Sequence, residues 1–300
     1  MKQSTLKYKS VSWKQLLPAI LLLFLSCQEI FSQEADSSKV KSPGLFVGIS
    51  VGSLQSQILN TGMLTIDKTV SNKLNGMTGS VEAGYFFSKW FGLSTGIGYT
   101  SCKGQLTLAS YQNRFNTTDT ENETYERQVT GSGITENQNI GMVSIPINLN
   151  LRLPLGNKLG FFLQGGLEAS IPVQKSYQSS GTFTFKGYYP AYNVLLQNLP
   201  AYGFPTNAAI ATNGSLKINS LCLEATATAG FDLFIAEKVQ LLVAATYLQS
   251  LSSISAYTQP EKFQLSSDIN QINSLMGGSS QATIQSVGLK LSLRYYFGKK

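Results

Sequence analysis

Histidine is absent from the 300-residue sequence. This side chain is the usual base that activates a serine or a water molecule, and it is the commonest metal ligand. Its absence excludes serine–histidine catalysis and histidine metal centres. Neither glycine-rich stretch, GMTGS or GGLEAS, has the lysine and the following helix of a phosphate-binding loop. Catalysis by carboxylates alone remains possible, but the acidic residues of the strands are explained equally well by structural ion pairs. We therefore predict no enzyme, with no catalytic residue, no cofactor and no metal site.

Charged residues are scarce as well. They make up 13% of the chain, against 42% hydrophobic residues and 27 glycines. A soluble surface normally carries more charge, and this composition suits one large all-β domain. The formal net charge is +7, but no basic cluster lies beyond the N-terminal segment. We therefore predict no nucleic-acid partner.

Long hydrophobic runs are missing outside the N-terminus, so no transmembrane helix is predicted. The apolar stretch at 16–25 follows a lysine-rich segment and is too short to span a bilayer, which is typical of an export signal. We predict a signal peptide over 1–32, cleaved after Ser32, then a periplasmic linker over 33–43. The remaining chain, 44–298, is predicted to form one domain.

Cysteine occurs three times. Cys27 lies in the export segment, where its lipidation is the alternative to cleavage after Ser32, although the surrounding residues match the lipidation motif only partly. Cys102 and Cys222 could form a disulfide in an oxidising compartment. The strands predicted to carry them are not neighbours, and a disulfide needs Cα atoms about 5.5 Å apart. Two isolated thiols are therefore the favoured interpretation.

Alternation of apolar and polar residues is the main pattern that is present. In 143–173 the period is two, which predicts a β-hairpin with one apolar and one polar face. The pattern recurs often enough to predict eight strands, with ten as the alternative. The eight segments are 45–52, 78–87, 91–102, 143–153, 161–173, 221–235, 239–249 and 286–297. Each is close to the ~10 residues that a tilted strand needs to cross a bilayer.

The connections between these strands alternate in length. Short turns are predicted at 88–90, 154–158 and 236–238, and long polar loops at 54–75, 105–136, 176–216 and 251–280. This order predicts a closed up-and-down antiparallel transmembrane β-barrel with short periplasmic turns and long extracellular loops. A short helix is predicted at 267–278. The acidic stretch 112–127 is interpreted as a solvated loop, since its spacing matches no EF-hand calcium site.

Alternation alone also fits a soluble barrel whose apolar residues line a cavity. The charges of the strands decide between the two, because all of them fall in the polar phase, with four acidic and three basic residues. Such a balanced set is expected to pair inside an enclosed space. The predicted lumen charge network comprises Glu82, Arg152, Glu168, Glu224, Asp232, Lys290 and Arg294. The polar face is also rich in glycine. Aromatic residues are concentrated at the short turns, as in the aromatic girdle of a barrel at the membrane interface. The apolar face is therefore predicted to contact outer-membrane lipid.

Several stretches resemble a known family. The hairpin GYFF…WFGLSTGIGY at 84–99 is similar to the first hairpin of the small outer-membrane β-barrel proteins of Bacteroidota, the PorT-like group. IPINLNLRLPL at 145–155, FFLQGGLEAS at 161–170 and LRYYF at 293–297 are similar to later strands of that group. The resemblance implies an eight-stranded barrel in the bacterial outer membrane with its N-terminus in the periplasm. It also implies a role as an accessory component of a protein-secretion system.

The leading functional hypothesis is a structural or interaction module whose extracellular loops bind a protein partner or a surface ligand. Aromatic side chains concentrated in one loop are the candidate recognition residues, because aromatic anchors favour binding. They are Phe183, Phe185, Tyr188, Tyr189, Tyr192, Tyr202 and Phe204. The alternative for these residues is a loop that folds on itself to cap the barrel. Alternative functions are a narrow passive channel for small solutes and a soluble exported binding barrel. No oligomeric state is predicted.

Overall fold

The computed structural model describes residues 44–61, 71–257, 273–278 and 281–297. Ten β-strands and two short 3₁₀-helices make up this part of the chain. The strands are β1 (Leu45–Thr61), β2 (Ser71–Phe86), β3 (Phe91–Thr118), β4 (Thr124–Pro154), β5 (Leu159–Tyr189), β6 (Val194–Leu196), β7 (Ala208–Ser215), β8 (Cys222–Ala236), β9 (Val239–Ser250) and β10 (Gln281–Tyr296). The 3₁₀-helices are Pro200–Tyr202 and Leu275–Gly278. The predicted signal peptide and linker lie outside the described residues, as does the first half of the predicted helix at 267–278. In its second half, Leu275–Gly278 form one of the 3₁₀-helices.

Eight strands close into a ring, each antiparallel to its neighbours. β1 pairs with β2 and β10, and the sheet continues through β3 and β4 to β5, and through β9 and β8 back to β5. The short strands β6 and β7 pair with β5 beyond the end of its pairing with β8, so they do not widen the ring. The predicted eight-stranded up-and-down barrel is confirmed.

The short turns of the barrel all lie at one end. They cover 87–90, 155–158 and 237–238, close to their predicted places. Within the part of the chain that the structure describes, no helix is long and apolar enough to cross a bilayer.

The outer surface of the barrel carries an apolar band that begins at the short turns. Every second residue from Val287 on β10 to Phe297 just after it is apolar and exposed. This stretch is about as long as a tilted strand needs to be to cross hydrocarbon. Aromatic side chains lie exposed at the short-turn end: Tyr85, Phe87, Trp90, Phe91, Phe231, Tyr295 and Phe297. Because a closed sheet leaves no unpaired backbone edge, such a band can face lipid.

Three strands continue far beyond this band, which corrects the predicted loops. β3 and β4 stay paired as far as Thr118↔Thr124, so 105–136 is a strand hairpin with a turn at 119–123. β5 likewise runs through the first part of the predicted loop at 176–216. We call this extension the tower: residues 104–118, 124–140 and 174–189, together with β6 and β7. At roughly 3.3 Å per residue, its strands extend on the order of 50 Å along their length. The predicted loop at 54–75 is also partly strand, since β1 reaches Thr61 and β2 begins at Ser71.

Glycine permits the tight curvature of the narrow barrel at positions that face inward. A Cβ at Gly230 would lie 2.1 Å from the main-chain oxygen of Val243, and one at Gly288 would lie 2.0 Å from that of Ser53. Any side chain there would collide with the neighbouring strand. These glycines are therefore required by the close approach of backbones inside the ring.

Candidate functional site

Two buried ion pairs lie inside the barrel near the short turns. The Nε of Arg294 is 2.6 Å from Oε1 of Glu82, and the Nε of Arg152 is 2.8 Å from Oδ2 of Asp232. Both guanidinium groups also stack on rings: Arg294 on Phe46 at 4.6 Å, and Arg152 on a phenylalanine of β8 at 5.0 Å. All four charged side chains are almost fully buried.

Amide and hydroxyl groups extend these pairs across the lumen. Gln240 donates through Nε2 to Asp232, and the hydroxyl of Tyr296 donates to Oε1 of Gln240. On the other side, Arg294 donates through one terminal nitrogen to Oδ1 of Asn150. The result is a hydrogen-bonded layer that ties β2, β4, β8, β9 and β10 together.

The remaining predicted lumen charges do not join either pair directly. Glu224 is buried and accepts a hydrogen bond of 2.7 Å from the hydroxyl of Ser170. Glu168 lies opposite Glu224 in the strand register and is half-buried. Lys290 is also half-buried. The structure therefore brings four of the seven residues together as two pairs and leaves three beside them.

An apolar cluster fills the barrel interior farther from the short turns. We call it the apolar plug. Its members are Ile58, Leu74, Cys102, Ile140, Met142, Leu216, Ile218, Cys222, Ile254, Met276, Ala282 and Ile284. Six barrel strands contribute to it, and so do the connecting segments around 216–218, 254 and 276. None of its side chains is more than 6% exposed. The two cysteines are free thiols within this cluster, as the sequence favoured.

The carboxylate of Glu136 is buried above the plug and accepts four hydrogen bonds. The donors are the Oγ of Ser179 at 2.6 Å, the Oγ of Ser274 at 2.8 Å, the main-chain N–H of Leu275 at 2.6 Å and Nε2 of Gln138 at 2.7 Å. Glu136 thus attaches the described part of the β9–β10 connection to the tower wall, so that Met276 enters the plug. Sequence reasoning missed this residue because it placed 136 at the end of the long polar loop 105–136.

A second apolar cluster, the tower core, lines the inner face of the tower. It comprises Leu106, Leu108, Tyr111, Val129, Ile134, Phe183, Phe185, Ile210 and Leu275. Phe183 and Phe185 were predicted as recognition residues, but they are 1% and 0% exposed because they lie on the inward face of β5. Phe204 is 3% exposed, since its ring packs edge-on against Tyr125. Phe183 and Phe185 are therefore too buried to serve as exposed anchors, whereas Phe204 lines the cleft at the end of the tower.

Tyr189, Tyr192 and Tyr202 line a cleft of about 980 Å³ at the end of the tower, together with Phe204. We call it the tip cleft. The turn 119–123 forms one wall and the segment 190–204 forms the other. Tyr192 and Tyr202 are 60% and 75% exposed in that second wall, whereas Tyr188 and Tyr189 are half-buried on β5. A recognition role for the exposed pair stays a prediction.

Hydrogen bonds hold the two walls of the tip cleft together. The hydroxyl of Tyr189 donates to Oδ2 of Asp119 at 3.0 Å, and the hydroxyl of Tyr192 donates to Oε1 of Glu123 at 2.5 Å. Oδ1 of Asp119 also accepts the main-chain N–H groups of Glu121 and Glu123 at 2.9 and 3.0 Å. This fixes the turn, in which Asn122 adopts a left-handed conformation with φ 64°.

Hydrogen bonds and burial in the tip cleft shift the pKa values of Asp119, Tyr189 and Tyr192. The hydrogen bond from the main chain of Glu123, followed by that from Tyr189, holds the pKa of Asp119 below its ordinary value. Desolvation, and then the hydrogen bond to Asp119, raises the pKa of Tyr189 to about 12. The pKa of Tyr192 is raised by its hydrogen bond to Glu123. At neutral pH Asp119 is therefore ionised, and Tyr189 and Tyr192 are neutral.

The sequence matches the family model described as outer membrane protein beta-barrel domain over residues 31–256. The chain belongs to this family. It is a transmembrane β-barrel protein of the outer membrane, so the end that carries the short turns faces the periplasm and the tower is extracellular. No curated protein is similar enough in sequence to match the chain.

Solved structures with a similar course of the chain include outer-membrane barrels. The chain is similar to neisserial surface protein A (NspA), with 9% identity, coverage of 84% of this chain and 97% of that one, and a TM-score of 0.35. It is similar to OprG from Pseudomonas aeruginosa, with 13% identity, coverage of 86% and 98%, and a TM-score of 0.38. It is also similar to Ail, the attachment invasion locus protein of Yersinia pestis, with 10% identity, coverage of 84% and 99%, and a TM-score of 0.29.

Proposed function

We propose that this outer-membrane protein is a non-enzymatic, non-conducting barrel whose extracellular tower serves as a binding platform for a protein partner or a surface ligand. The apolar plug is the observation that carries this proposal. Below it, toward the periplasm, the lumen is occupied by the two buried ion pairs and their amide partners. Because the interior of the barrel is filled, the surfaces that a ligand can reach lie outside the membrane.

The plug argues against a passive channel for small solutes. Ions and polar solutes need water or polar groups along their whole path, because a polar group without a hydrogen bond in an apolar site is costly. Hydrophobic constrictions stop conduction by excluding water. Twelve buried side chains contribute to this constriction, which six strands and three connecting segments supply.

The tower argues for a role outside the membrane. A barrel that only has to cross hydrocarbon needs strands of about ten residues, whereas β4 and β5 each have 31. The additional residues are ordered by strand pairing and by the tower core. Binding sites are commonly presented on loops held by such a rigid scaffold.

Single-channel conductance of the refolded protein in a planar bilayer tests the proposal. Insertion is verified first by a heat-modifiable gel shift and by flotation of proteoliposomes, with a general porin as the positive control. We expect no conductance steps from the inserted protein. Steady conductance would overturn the proposal in favour of a narrow channel.

We further propose that the protein is a PorT-like barrel of the Bacteroidota type, exported by a signal peptide over 1–32. The similarity of the hairpin at 84–99 and of the strand at 293–297 to that group supports this placement, and with it an accessory role in secretion. Mass spectrometry of the mature protein tests the export part. Cleavage after Ser32 is the expected result, and a lipidated Cys27 at the N-terminus would contradict it.

A further inference from the structure

The tip cleft has a strongly uneven charge. Three carboxylates line it, those of Asp119, Glu121 and Glu123, against one cation, Arg127. Among the described residues, none of these carboxylates forms an ion pair, and Glu121 makes no side-chain hydrogen bond. The guanidinium of Arg127 lies 5.2 Å from the centre of the Phe185 ring, inside the wall of the tower. The cleft therefore presents uncompensated negative charge to the solvent.

Aromatic rings also line the cleft. Tyr192 and Tyr202 are largely exposed, and Tyr125 stacks on Tyr189 with ring centres 5.0 Å apart. The hydrogen bond from Tyr192 to Glu123 places a ring and a carboxylate side by side. Ring faces carry negative potential and attract ammonium and guanidinium groups, and neighbouring carboxylates strengthen the same attraction.

Other ligand classes fit this site less well. The negative charge repels anions. A metal ion needs converging ligands, and the described residues contain no group of three acidic or cysteine side chains arranged to hold one. A sugar could stack on the tyrosine faces and donate hydroxyl hydrogen bonds to the carboxylates, but it would leave the excess negative charge of the cleft uncompensated. An organic cation contacts the rings and also neutralises this charge.

We propose that the tip cleft binds the ammonium or guanidinium side chains of a basic peptide segment. This inference rests on the proposed function, because it names the ligand that the platform takes. A cleft of about 980 Å³ is large enough for more than one side chain. Asp119 and Glu123 keep the walls in place through their bonds to the tyrosines. Glu121 supplies the free charge, and Tyr202 supplies the exposed ring face.

Fluorescence anisotropy of a labelled tetralysine peptide, with blocked ends, against the full-length protein in nanodiscs tests the inference. We expect saturable binding that weakens at high salt, because the contacts are electrostatic. Glu121→Gln and Tyr202→Leu should each weaken binding by about two- to fivefold. Tyr202→Phe keeps the ring and should bind as the wild type does. Glu237→Gln, an exposed glutamate at the periplasmic end, is the matched control and should also leave binding unchanged.

Several outcomes would overturn the inference. Equal binding of a tetraglutamine peptide would show that charge is not recognised. Unchanged peptide binding in both Glu121→Gln and Tyr202→Leu would show that the peptide binds elsewhere. Calcium binding in the absence of peptide, if Glu121→Gln abolishes it, would show that the cleft is a metal site. Absence of any peptide binding would reject the cation site alone, since the conductance measurement tests the non-conducting platform separately. The gel shift of each variant verifies that it is folded.

Discussion

The carboxylate of Glu136 on β4 accepts a 2.6 Å hydrogen bond from the main-chain N–H of Leu275, which lies 139 residues later in the chain. Three further donors converge on the same carboxylate, and all of them are buried. A single acidic side chain therefore fixes where the connection between β9 and β10 meets the tower wall. It also decides that Met276 lies in the apolar plug.

Glu136→Gln should loosen this attachment without unfolding the barrel. The amide has one acceptor oxygen in place of two and brings two donors into a site that already holds four. We expect a loss of about 1–3 kcal/mol of local stability, seen as faster hydrogen exchange of the Leu275 amide. Glu126→Gln, on the same strand and bonded to partly buried Gln128, is the control. Unchanged protection of Leu275 in Glu136→Gln would contradict the anchoring role.

Breaking the ion pair between Glu82 and Arg294 should be far more costly than removing it entirely. Glu82→Leu leaves a guanidinium buried without its charged partner, which is expected to destabilise the protein by about 3–5 kcal/mol. The double variant Glu82→Leu with Arg294→Leu should recover much of this loss. Urea-driven unfolding from lipid vesicles measures both. Equal destabilisation of the single and double variants would show that the pairing itself does not matter.

Arginine on the apolar band should destabilise the inserted barrel. Leu291 is 46% exposed on the outer surface, and Leu291→Arg near the bilayer midplane should cost about 2–4 kcal/mol. Leu149→Arg is expected to behave in the same way. The adjacent inward-facing positions provide the controls, and Ser292→Ala and Asn148→Ala should be mild. Arginine variants that assemble as well as the wild type in lipid vesicles would disprove contact with lipid.

Tyr189→Phe should raise the pKa of Asp119 toward its ordinary value, because a hydrogen bond to the ionised carboxylate is lost. Since the folded state lowers this pKa, the bond stabilises the tip turn above the ordinary pKa, and the effect disappears as the pH falls through the lowered one. A carbon-13 NMR titration of the carboxyl group measures the change. Tyr188→Phe is the control, because the Tyr188 hydroxyl donates to Oδ1 of Asn193 and not to Asp119. The same pKa in both variants would exclude the contribution from Tyr189.

The ring of eight strands could be predicted because lipid imposes one strict rule on the outer face. Every second residue from Val287 on β10 to Phe297 just after it is apolar, and this alternation marks the strand wherever hydrocarbon surrounds it. The short turns followed from the breaks between such segments. In the membrane-spanning part of the strands, the residues that the register places on the outer face are the apolar ones, as contact with lipid requires.

The tower was missed because the apolar residues change sides when the strand leaves the membrane. On β3, Ile97 and Tyr99 point outward, whereas Leu106 and Leu108 point inward. On β10, Ile284 is buried in the plug while its outward neighbour Gln285 is polar. Water replaces lipid outside, so the apolar phase moves to the inner face. A search for alternation that allows this change of phase would have extended the strands.

The residues that meet across the interior were harder to predict. Glu136 and Ser274 come together only because the ring brings β4 and the β9–β10 connection to the same place. The tip cleft likewise combines the turn at 119–123 with the segment at 190–204. Both depend on contacts that are remote in sequence, and no local pattern encodes them.

The pairing of β1 with β10, from Phe46↔Tyr296 to Thr61↔Gln281, has a consequence for assembly. These strands are separated by most of the chain, so their encounter carries a large loop-closure cost and comes late in folding. Until β10 arrives, β1 and β9 each present a free backbone edge that can recruit a strand from another molecule. Closing the ring and shielding the chain from aggregation are therefore the same step.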